Sequence, residues 1–199
     1  MSDLVKPVDC LITAAGLSSR MGSWKMMLPF GRNDETILDC SIANALRFCQ
    51  RVILVTGHRG DEIQQRYQHH SRITQVHNHQ YSLGLFTSIQ AGVSRCDTDY
   101  LFITHGDMPL VVSEIYSSLW EQRGSDTLFP IDHVSSQQAG HPVLLHRSRF
   151  EDILEASPST RMKSLLLKRA HRYIEVSSDA IHQDIDTPDR YQQLYLESQ

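Results

Sequence analysis

The chain has 199 residues, of which 40% are hydrophobic and 21% are charged, a composition typical of a globular domain and not of a disordered polypeptide. Its formal net charge of -4 argues against a general nucleic-acid binder, because such proteins carry a basic surface that neutralises many phosphates. We therefore expect one domain over residues 1–199, without a nucleic-acid partner, in which any bound phosphate is held by a local site.

The cysteines and the apolar runs indicate the cellular compartment. Cys10, Cys40, Cys49 and Cys96 are widely spaced and form no Cys-x-x-Cys pair. No apolar run reaches the roughly 18 residues of a membrane helix, and the N-terminal residues lack the apolar segment of a secretory signal. These features predict a reduced, cytoplasmic protein that has no membrane partner.

Strands and helices alternate along the first part of the chain. Short apolar runs predict strands at 8–13, 51–56, 73–77 and 100–104, and apolar residues at helical spacing predict helices at 36–49, 61–67, 84–94 and 112–122. Such alternation favours a mostly parallel sheet with helices on both faces, which is the architecture of an α/β fold.

The pattern changes after Gly124. Residues 127–131 and 142–145 have the composition of strands and flank a polar turn, which predicts a hairpin-like excursion. A helix is expected at 161–169 and a strand at 172–176. A last helix is expected after Thr187, with that residue as its N-cap and a proline in its first turn.

The loop after the first strand is the most informative segment. Residues 13–29 read Thr-Ala-Ala-Gly-Leu-Ser-Ser-Arg-Met-Gly-Ser-Trp-Lys-Met-Met-Leu-Pro. Gly16 lets backbone N–H groups approach an anion closely, while Arg20 adds a fork of donors and Lys25 a compact charge. The loop matches neither the Walker A pattern nor the dinucleotide-binding Gly-x-Gly-x-x-Gly. Because ligands of open α/β sheets collect beyond the carboxyl ends of the strands, we expect this loop to bind a polyphosphate.

Three segments, taken together and in this order, resemble a known family. They are residues 13–29, Gly106-Asp107-Met108-Pro109 and Asp184-Ile185-Asp186-Thr187-Pro188. They resemble the MobA-like NTP transferases that act on molybdenum cofactor, and the cytidylyl-transferring members above all, over about residues 8–191. The resemblance implies a Rossmann-like three-layer nucleotidyltransferase fold with a mostly parallel central sheet.

The same resemblance implies a reaction and its participants. The family transfers CMP from CTP to the terminal phosphate of molybdopterin that carries molybdenum, releases pyrophosphate and requires Mg²⁺. CTP and a molybdopterin-type acceptor are therefore the expected substrates. A molybdenum-dependent apoenzyme is an expected recipient of the product.

The chemistry of this reaction indicates which residues would act. Attack of a phosphate oxygen on the α-phosphate brings anions together, so the protein must neutralise charge and align the groups, without a covalent nucleophile. Arg20 and Lys25 are the catalytic candidates because they contact phosphate as a bidentate fork and as a compact charge. Asp107 and Asp186 offer the hard oxygen ligands that Mg²⁺ prefers.

Two nearby residues have open roles. Asp184 competes as a metal ligand, since it lies two residues from Asp186 and shares its face if the segment is extended. His105 immediately precedes Gly106, where it either contacts a ligand or supports the loop.

The nucleotide-binding candidates carried over from the resemblance are Ala14, Ala15, Gly16, Ser18, Arg20, Lys25, Asn78, Gly84 and Ser88. Ala15 stands where relatives that use GTP tend to have a second glycine, and its methyl group occupies space that a purine needs. One methyl group contributes roughly 1 to 3 kcal/mol of discrimination, which favours CTP without excluding GTP.

The acceptor side is less well matched. Gly140-His141-Pro142 resembles the family's Gly-x-Pro segment, which makes His141 an acceptor-binding candidate. Residues 157–161 replace a Gly-Asp-x-Gly-x-Arg loop, and only Arg161 carries over. Two alternatives stay open: a transferase of the same fold that uses GTP or a sugar or alcohol phosphate, and a non-catalytic carrier of molybdenum cofactor.

Overall fold

One seven-stranded sheet organises the protein, whose computed structural model describes residues 5–18, 21–32, 34–132 and 138–197. The strands are β1 (Lys6–Ala14), β2 (Cys49–Thr56), β3 (Ile73–His77), β4 (Tyr100–His105), β5 (Thr127–Ile131), β6 (Val143–His146) and β7 (His171–Glu175). Their order across the sheet is β3-β2-β1-β4-β6-β5-β7. Only β6 runs antiparallel to its two neighbours, so the predicted mostly parallel sheet and the hairpin-like excursion are both confirmed.

Helices connect these strands. They are α1 (Ile37–Phe48), α2 (Gly60–Tyr67), α3 (Leu85–Val93), α4 (Ser113–Glu121), α5 (Phe150–Leu154), α6 (Met162–Leu166) and α7 (Pro188–Glu197). Within the described residues, no helix has both the length and the apolar character needed to cross a membrane.

Both faces of the sheet are buried, as the alternation of side chains along β1 shows. Cys10 and Ile12 belong to an apolar cluster with residues of α1, α2 and α4, whereas Leu11 packs with residues of α3, α5 and α6. Because successive side chains of a strand point to opposite faces, a continuous apolar run is what a strand covered on both sides requires. The helices therefore form a layer on each side of the sheet.

The ends of the helices follow from local chemistry. Thr36 caps α1 with its side chain, which accepts from the backbone N–H of Asp39, and the Asp39 carboxylate accepts from the backbone N–H of Thr36. The hydroxyl of Thr187 accepts from the backbone N–H of Arg190 in the first turn of α7, as the predicted N-cap requires.

Several predicted helix bounds differ from the structure by one residue or more. The helix expected at 84–94 begins one residue later, because Gly84 has a φ of 119° and lies outside helical conformation. The helix expected at 161–169 is only Met162–Leu166, with turns after it. The sequence pattern also missed the one-turn helix Phe150–Leu154, since five residues are too few to display a helical period.

Candidate active site

A cavity of about 450 Å³ opens beyond the carboxyl ends of β1 and β4. In the strand order, β2 lies on one side of β1 and β4 on the other, so the chain reverses its direction across the sheet at this point. Ligands of open α/β sheets bind at such switch points. The cavity is lined by the loop after β1, by the start of α3, and by residues that follow β4 and precede α7.

Lys25 lines this cavity and contacts both of its acidic segments. Its Nζ is 2.5 Å from Asp107 Oδ2 and 2.6 Å from Asp186 Oδ1, and Lys25 is only 7% exposed. Burial by itself would lower the pKa of Lys25, but the charges and hydrogen bonds of Asp107 and Asp186 outweigh it and raise that pKa. The lysine is therefore a fixed cation between two carboxylates.

Two hydrogen bonds from backbone N–H groups help to position Lys25, Asp107 and Asp186. Lys25 begins a short 3₁₀ turn, Lys25–Met27, and its backbone N–H donates to Ser18 Oγ over 3.3 Å. Asp107 lies two residues after the end of β4, and the backbone N–H of Ile185 donates to the Asp107 carbonyl over 2.9 Å. This last bond brings the segment before α7 to the end of β4.

Three carboxylates in this region have the arrangement of a cation site. Asp107, Asp184 and Asp186 each offer an oxygen, and these atoms lie within 4.8 Å of one another. Asp107 Oδ1 is buried and has no hydrogen-bond partner among the described residues. Partial burial and the neighbouring carboxylates of Asp186 and Asp107 raise the pKa of Asp184, so a bound cation would relieve charge repulsion here. The donor set suits a divalent metal ion, which takes such oxygen ligands.

The loop after β1 forms one wall of the cavity. Ala15, Gly16 and Ser18 line it, and a Cβ built at Gly16 would meet no atom within 4 Å. Ala14 does not line the cavity, because it is fully buried in the apolar cluster below α1. The catalytic and nucleotide-binding candidate Arg20 lies outside the described residues.

The candidates near α3 divide into lining and supporting residues. Gly84 and Ser88 line the cavity. Asn78 is buried and does not line it; its Nδ2 donates to Ser88 Oγ and to Thr87 Oγ1, each over 2.9 Å. Asn78 also accepts from the backbone N–H of Gln80. It therefore fixes the loop and the start of the helix from behind the cavity wall.

Two histidines form a hydrogen-bonded pair that sequence reasoning did not anticipate. His105 lines the cavity; its Nδ1 is 2.8 Å from Thr13 Oγ1 and its Nε2 is 3.2 Å from His141 Nε2. His141 Nδ1 is 3.3 Å from the carbonyl of Ile103. Because a carbonyl only accepts, His141 donates from Nδ1 and accepts at Nε2, so His105 donates from Nε2 and accepts from the Thr13 hydroxyl.

Both members of this histidine pair are neutral at pH 7. Burial, with a smaller contribution from the charge of Lys25, lowers the pKa of His105 to about 4. Burial and the neighbouring His105 lower the pKa of His141 to about 3. His141 approaches from the segment before β6, 36 residues away, and no local pattern signals that contact.

The two acceptor-binding candidates do not line the cavity. His141 lies behind His105, with both ring nitrogens in contact with protein atoms. Arg161 is exposed and immediately precedes α6. The structure thus brings together Lys25, Asp107 and Asp186, but it does not bring either acceptor candidate to the cavity wall.

This fold and site define an α/β protein with a cavity at the switch point between β1 and β4, lined by a lysine and a group of carboxylates. The profile of the MobA-like NTP transferase domain matches residues 10–173, and the chain belongs to that family of nucleotidyltransferases. Within the family, it is similar to the molybdenum cofactor cytidylyltransferase of Escherichia coli strain K12. The two are 45% identical over 184 residues, which cover 92% of this chain and 93% of the relative.

Solved structures share the fold over nearly the whole chain. A nucleotidyl transferase from Methanothermobacter thermautotrophicus superposes with a TM-score of 0.82 at 21% identity, covering 97% of this chain and 98% of its own. A homologue of Mycobacterium tuberculosis Rv0371c, from Mycobacterium sp. strain JC1, gives a TM-score of 0.78 at 25% identity, with 96% of each chain covered. The expected three-layer nucleotidyltransferase fold is therefore confirmed.

Proposed function

We propose that this chain is a Mg²⁺-dependent cytidylyltransferase that acts on molybdenum cofactor. It transfers CMP from CTP to the terminal phosphate of molybdopterin that carries molybdenum, and it releases pyrophosphate. The observation that carries this proposal is the 45% identity to the E. coli molybdenum cofactor cytidylyltransferase over nearly the whole of both chains. The cavity, with its buried lysine and its carboxylates, supplies groups that such a transfer requires.

In this proposal the protein acts by positioning and by charge. Lys25 and Arg20 are the catalytic residues; Lys25 lies in the cavity, where its ammonium can contact the phosphates. They hold the α-phosphate in line with the attacking oxygen and neutralise negative charge on the leaving pyrophosphate. Asp107 and Asp186 hold Mg²⁺, and Asp184 is a third available ligand. When bound, Mg²⁺ supplies positive charge that offsets the phosphate charges.

The nucleotide binds along the wall formed by the loop after β1 and the start of α3. Ala15, Gly16, Ser18, Gly84 and Ser88 line this wall, which supports direct roles in binding. Asn78 supports the same site through its hydrogen bond to Ser88, and Ala14 through its place beneath the loop. In this proposal the preference for CTP over GTP rests in part on the methyl group of Ala15, which favours CTP without excluding GTP.

Binding of the acceptor is proposed to involve two residues, which are assigned by resemblance to the family. These residues are His141 and Arg161, and His141 would act through His105, which lies between it and the cavity. A molybdenum-dependent apoenzyme is the proposed recipient of the product.

Residues 1–199 are proposed to act as one domain, since Asp186, outside the matched range 10–173, contacts Lys25 inside it. A cytoplasmic location is proposed because the four cysteines are free thiols.

The direct test combines the purified protein with molybdenum-loaded molybdopterin, Mg²⁺ and each of the four nucleoside triphosphates. We expect pyrophosphate release and a cytosine dinucleotide product, identified by mass spectrometry, with CTP as the best donor. A panel of sugar and alcohol phosphates serves as the acceptor control. Absence of product with every nucleotide would overturn the proposal, and binding of the acceptor without turnover would indicate a carrier.

A further inference from the structure

Lys25 contacts two of the three carboxylates that could bind a metal ion. Its Nζ lies 2.5 Å from Asp107 Oδ2 and 2.6 Å from Asp186 Oδ1, and both oxygens belong to the group of three carboxylates. An ammonium group at this position is a compact positive charge with donors that point at both acids. A divalent cation that approached the same two oxygens would be repelled by the ammonium and would compete with it for ligands.

The Lys25 side chain can move away from the carboxylates toward another part of the cavity. Its backbone is fixed at the start of a 3₁₀ turn by the hydrogen bond to Ser18 Oγ, so only the long side chain needs to move. The side chain borders the same cavity as Gly16 and Ser18, the residues of the proposed phosphate loop. The phosphates of a nucleotide bound against this loop would offer the ammonium several oxygen acceptors in place of the two carboxylates.

We propose that Lys25 is an internal cation that fills the metal site of the free protein and leaves it when nucleotide phosphates bind the ammonium. This inference rests on the proposed function, because it takes the nucleotide and the metal as the ligands of this cavity. Metal alone therefore binds weakly, and nucleotide binding makes the carboxylates available. By thermodynamic linkage, the coupling is reciprocal: bound metal favours the position of Lys25 in which it contacts phosphate.

The test measures the affinity for Mn²⁺ alone, without nucleotide, by electron paramagnetic resonance of the free ion. Lys25→Met removes the charge and keeps an unbranched side chain of comparable length. We expect this variant to bind Mn²⁺ at least tenfold more tightly than the wild-type protein. Equal affinities in the two proteins would overturn the inference.

Arg59→Met is the matched control for loss of one positive charge nearby. The Arg59 guanidinium lies 4.4 Å from the ring centroid of Trp24, the residue before Lys25, and it pairs with Glu62. Within the part of the chain that the structure describes, Arg59 forms no hydrogen bond or ion pair with any of the three carboxylates. The Mn²⁺ affinity of Arg59→Met should stay within threefold of wild type. A gain as large as that of Lys25→Met would mean that loss of any nearby positive charge has the same effect, and it would overturn the inference.

A second variant and a second measurement protect the test against poor folding. Lys25→Gln removes the charge and retains hydrogen-bonding capacity toward the carboxylates. Mn²⁺ without nucleotide should raise the melting temperature of whichever variant folds by more than it raises that of the wild-type protein. An equal rise in wild type and variant would contradict the inference.

The turnover assay with CTP separates this inference from the proposed function. If the wild-type protein makes no product and Lys25→Met still gains Mn²⁺ affinity, the metal-site competition stands and the proposed function fails. If product forms and Mn²⁺ affinity does not change, the proposed function stands and the inference fails.

Discussion

At the scale of single residues, the site depends on where charge is placed and on how much space one methyl group fills. Asp107 contacts Lys25 with one oxygen and leaves the other buried without a hydrogen bond among the described residues. Ala15 is 7% exposed and lines the same cavity. These two positions allow the proposed chemistry and the proposed base selectivity to be tested separately.

Asp107→Asn should lower the rate of pyrophosphate release by about 10² to 10³, the effect of removing one preorganised electrostatic group. The amide keeps the size of the side chain but provides neither the charge that pairs with Lys25 nor a strong metal ligand. The measurement is the initial rate at saturating CTP, with circular dichroism to verify the fold. Asp99→Asn is the control, because Asp99 is an exposed residue paired with Arg147. A rate within threefold of wild type would show that the proposed reaction does not need the Asp107 carboxylate.

Ala15→Gly should reduce the preference for CTP over GTP by about 5- to 160-fold in the ratio of kcat/KM values, since roughly 1 to 3 kcal/mol of discrimination is removed. Ala14→Gly is the matched control. Ala14 is fully buried under the loop and does not line the cavity, so its loss should leave the ratio unchanged. If the two variants change the ratio equally, the methyl group of Ala15 is not the source of base selectivity.

At the scale of elements, α1 and α2 are joined by one carboxylate. Asp39 completes the capping box of α1 and also accepts from Arg66 and from the hydroxyl of Tyr67 in α2. Burial alone would raise the pKa of Asp39, but the hydrogen bonds from Arg66, Tyr67 and Thr36 lower it to about 2. The folded pKa therefore lies below the unfolded value, which is about 3.9.

Asp39→Asn should lower the free energy of unfolding by about 1 to 2 kcal/mol at pH 7, through loss of charged hydrogen bonds and part of a helix cap. Because the pKa of Asp39 is depressed on folding, its contribution is present above about pH 4 and is lost as the pH falls toward 2. Urea unfolding of both proteins at pH 7, 4 and 2.5 measures this. Asp61→Asn, an acidic residue in the first turn of α2, is the control. A constant difference across this pH range would exclude the charge of Asp39 as the cause.

At the scale of the whole molecule, the site joins segments that are far apart along the chain. Lys25 and Asp186 are 161 residues apart and lie in direct contact. Only the folded chain can bind a ligand that contacts both of these segments. Ligand binding should therefore stabilise the entire fold and not a local region.

CTP with Mg²⁺ at about 100 times its Kd should stabilise the protein by roughly 2.7 kcal/mol and raise Tm by about 5 to 11 °C. A thermal melt with each nucleotide, with and without Mg²⁺, measures the shift. CTP should give the largest rise, and Asp107→Asn should reduce the additional rise that Mg²⁺ provides. Equal Tm shifts for CTP and GTP would contradict the proposed preference for CTP. The absence of a Tm shift with every nucleotide would contradict the proposal that the loop after β1 binds phosphate.

The alternation of strands and helices and the position of the proposed phosphate loop could be predicted from the amino-acid sequence. Buried strands such as β1 and β4 are mostly apolar, and the loops that follow them lie at one edge of a parallel sheet. Lys25 and Asp107 were identified in this way, because each belongs to a local pattern that a sequence displays.

The contacts among these residues are visible only in the folded chain. The tertiary structure placed the ammonium of Lys25 between Asp107 and Asp186, and His141 behind His105. It also placed Asn78 behind Ser88 and away from the cavity. These contacts join residues that are between ten and 161 positions apart along the chain. Their geometry depends on how the sheet packs against its helices, and local sequence patterns carry no record of it.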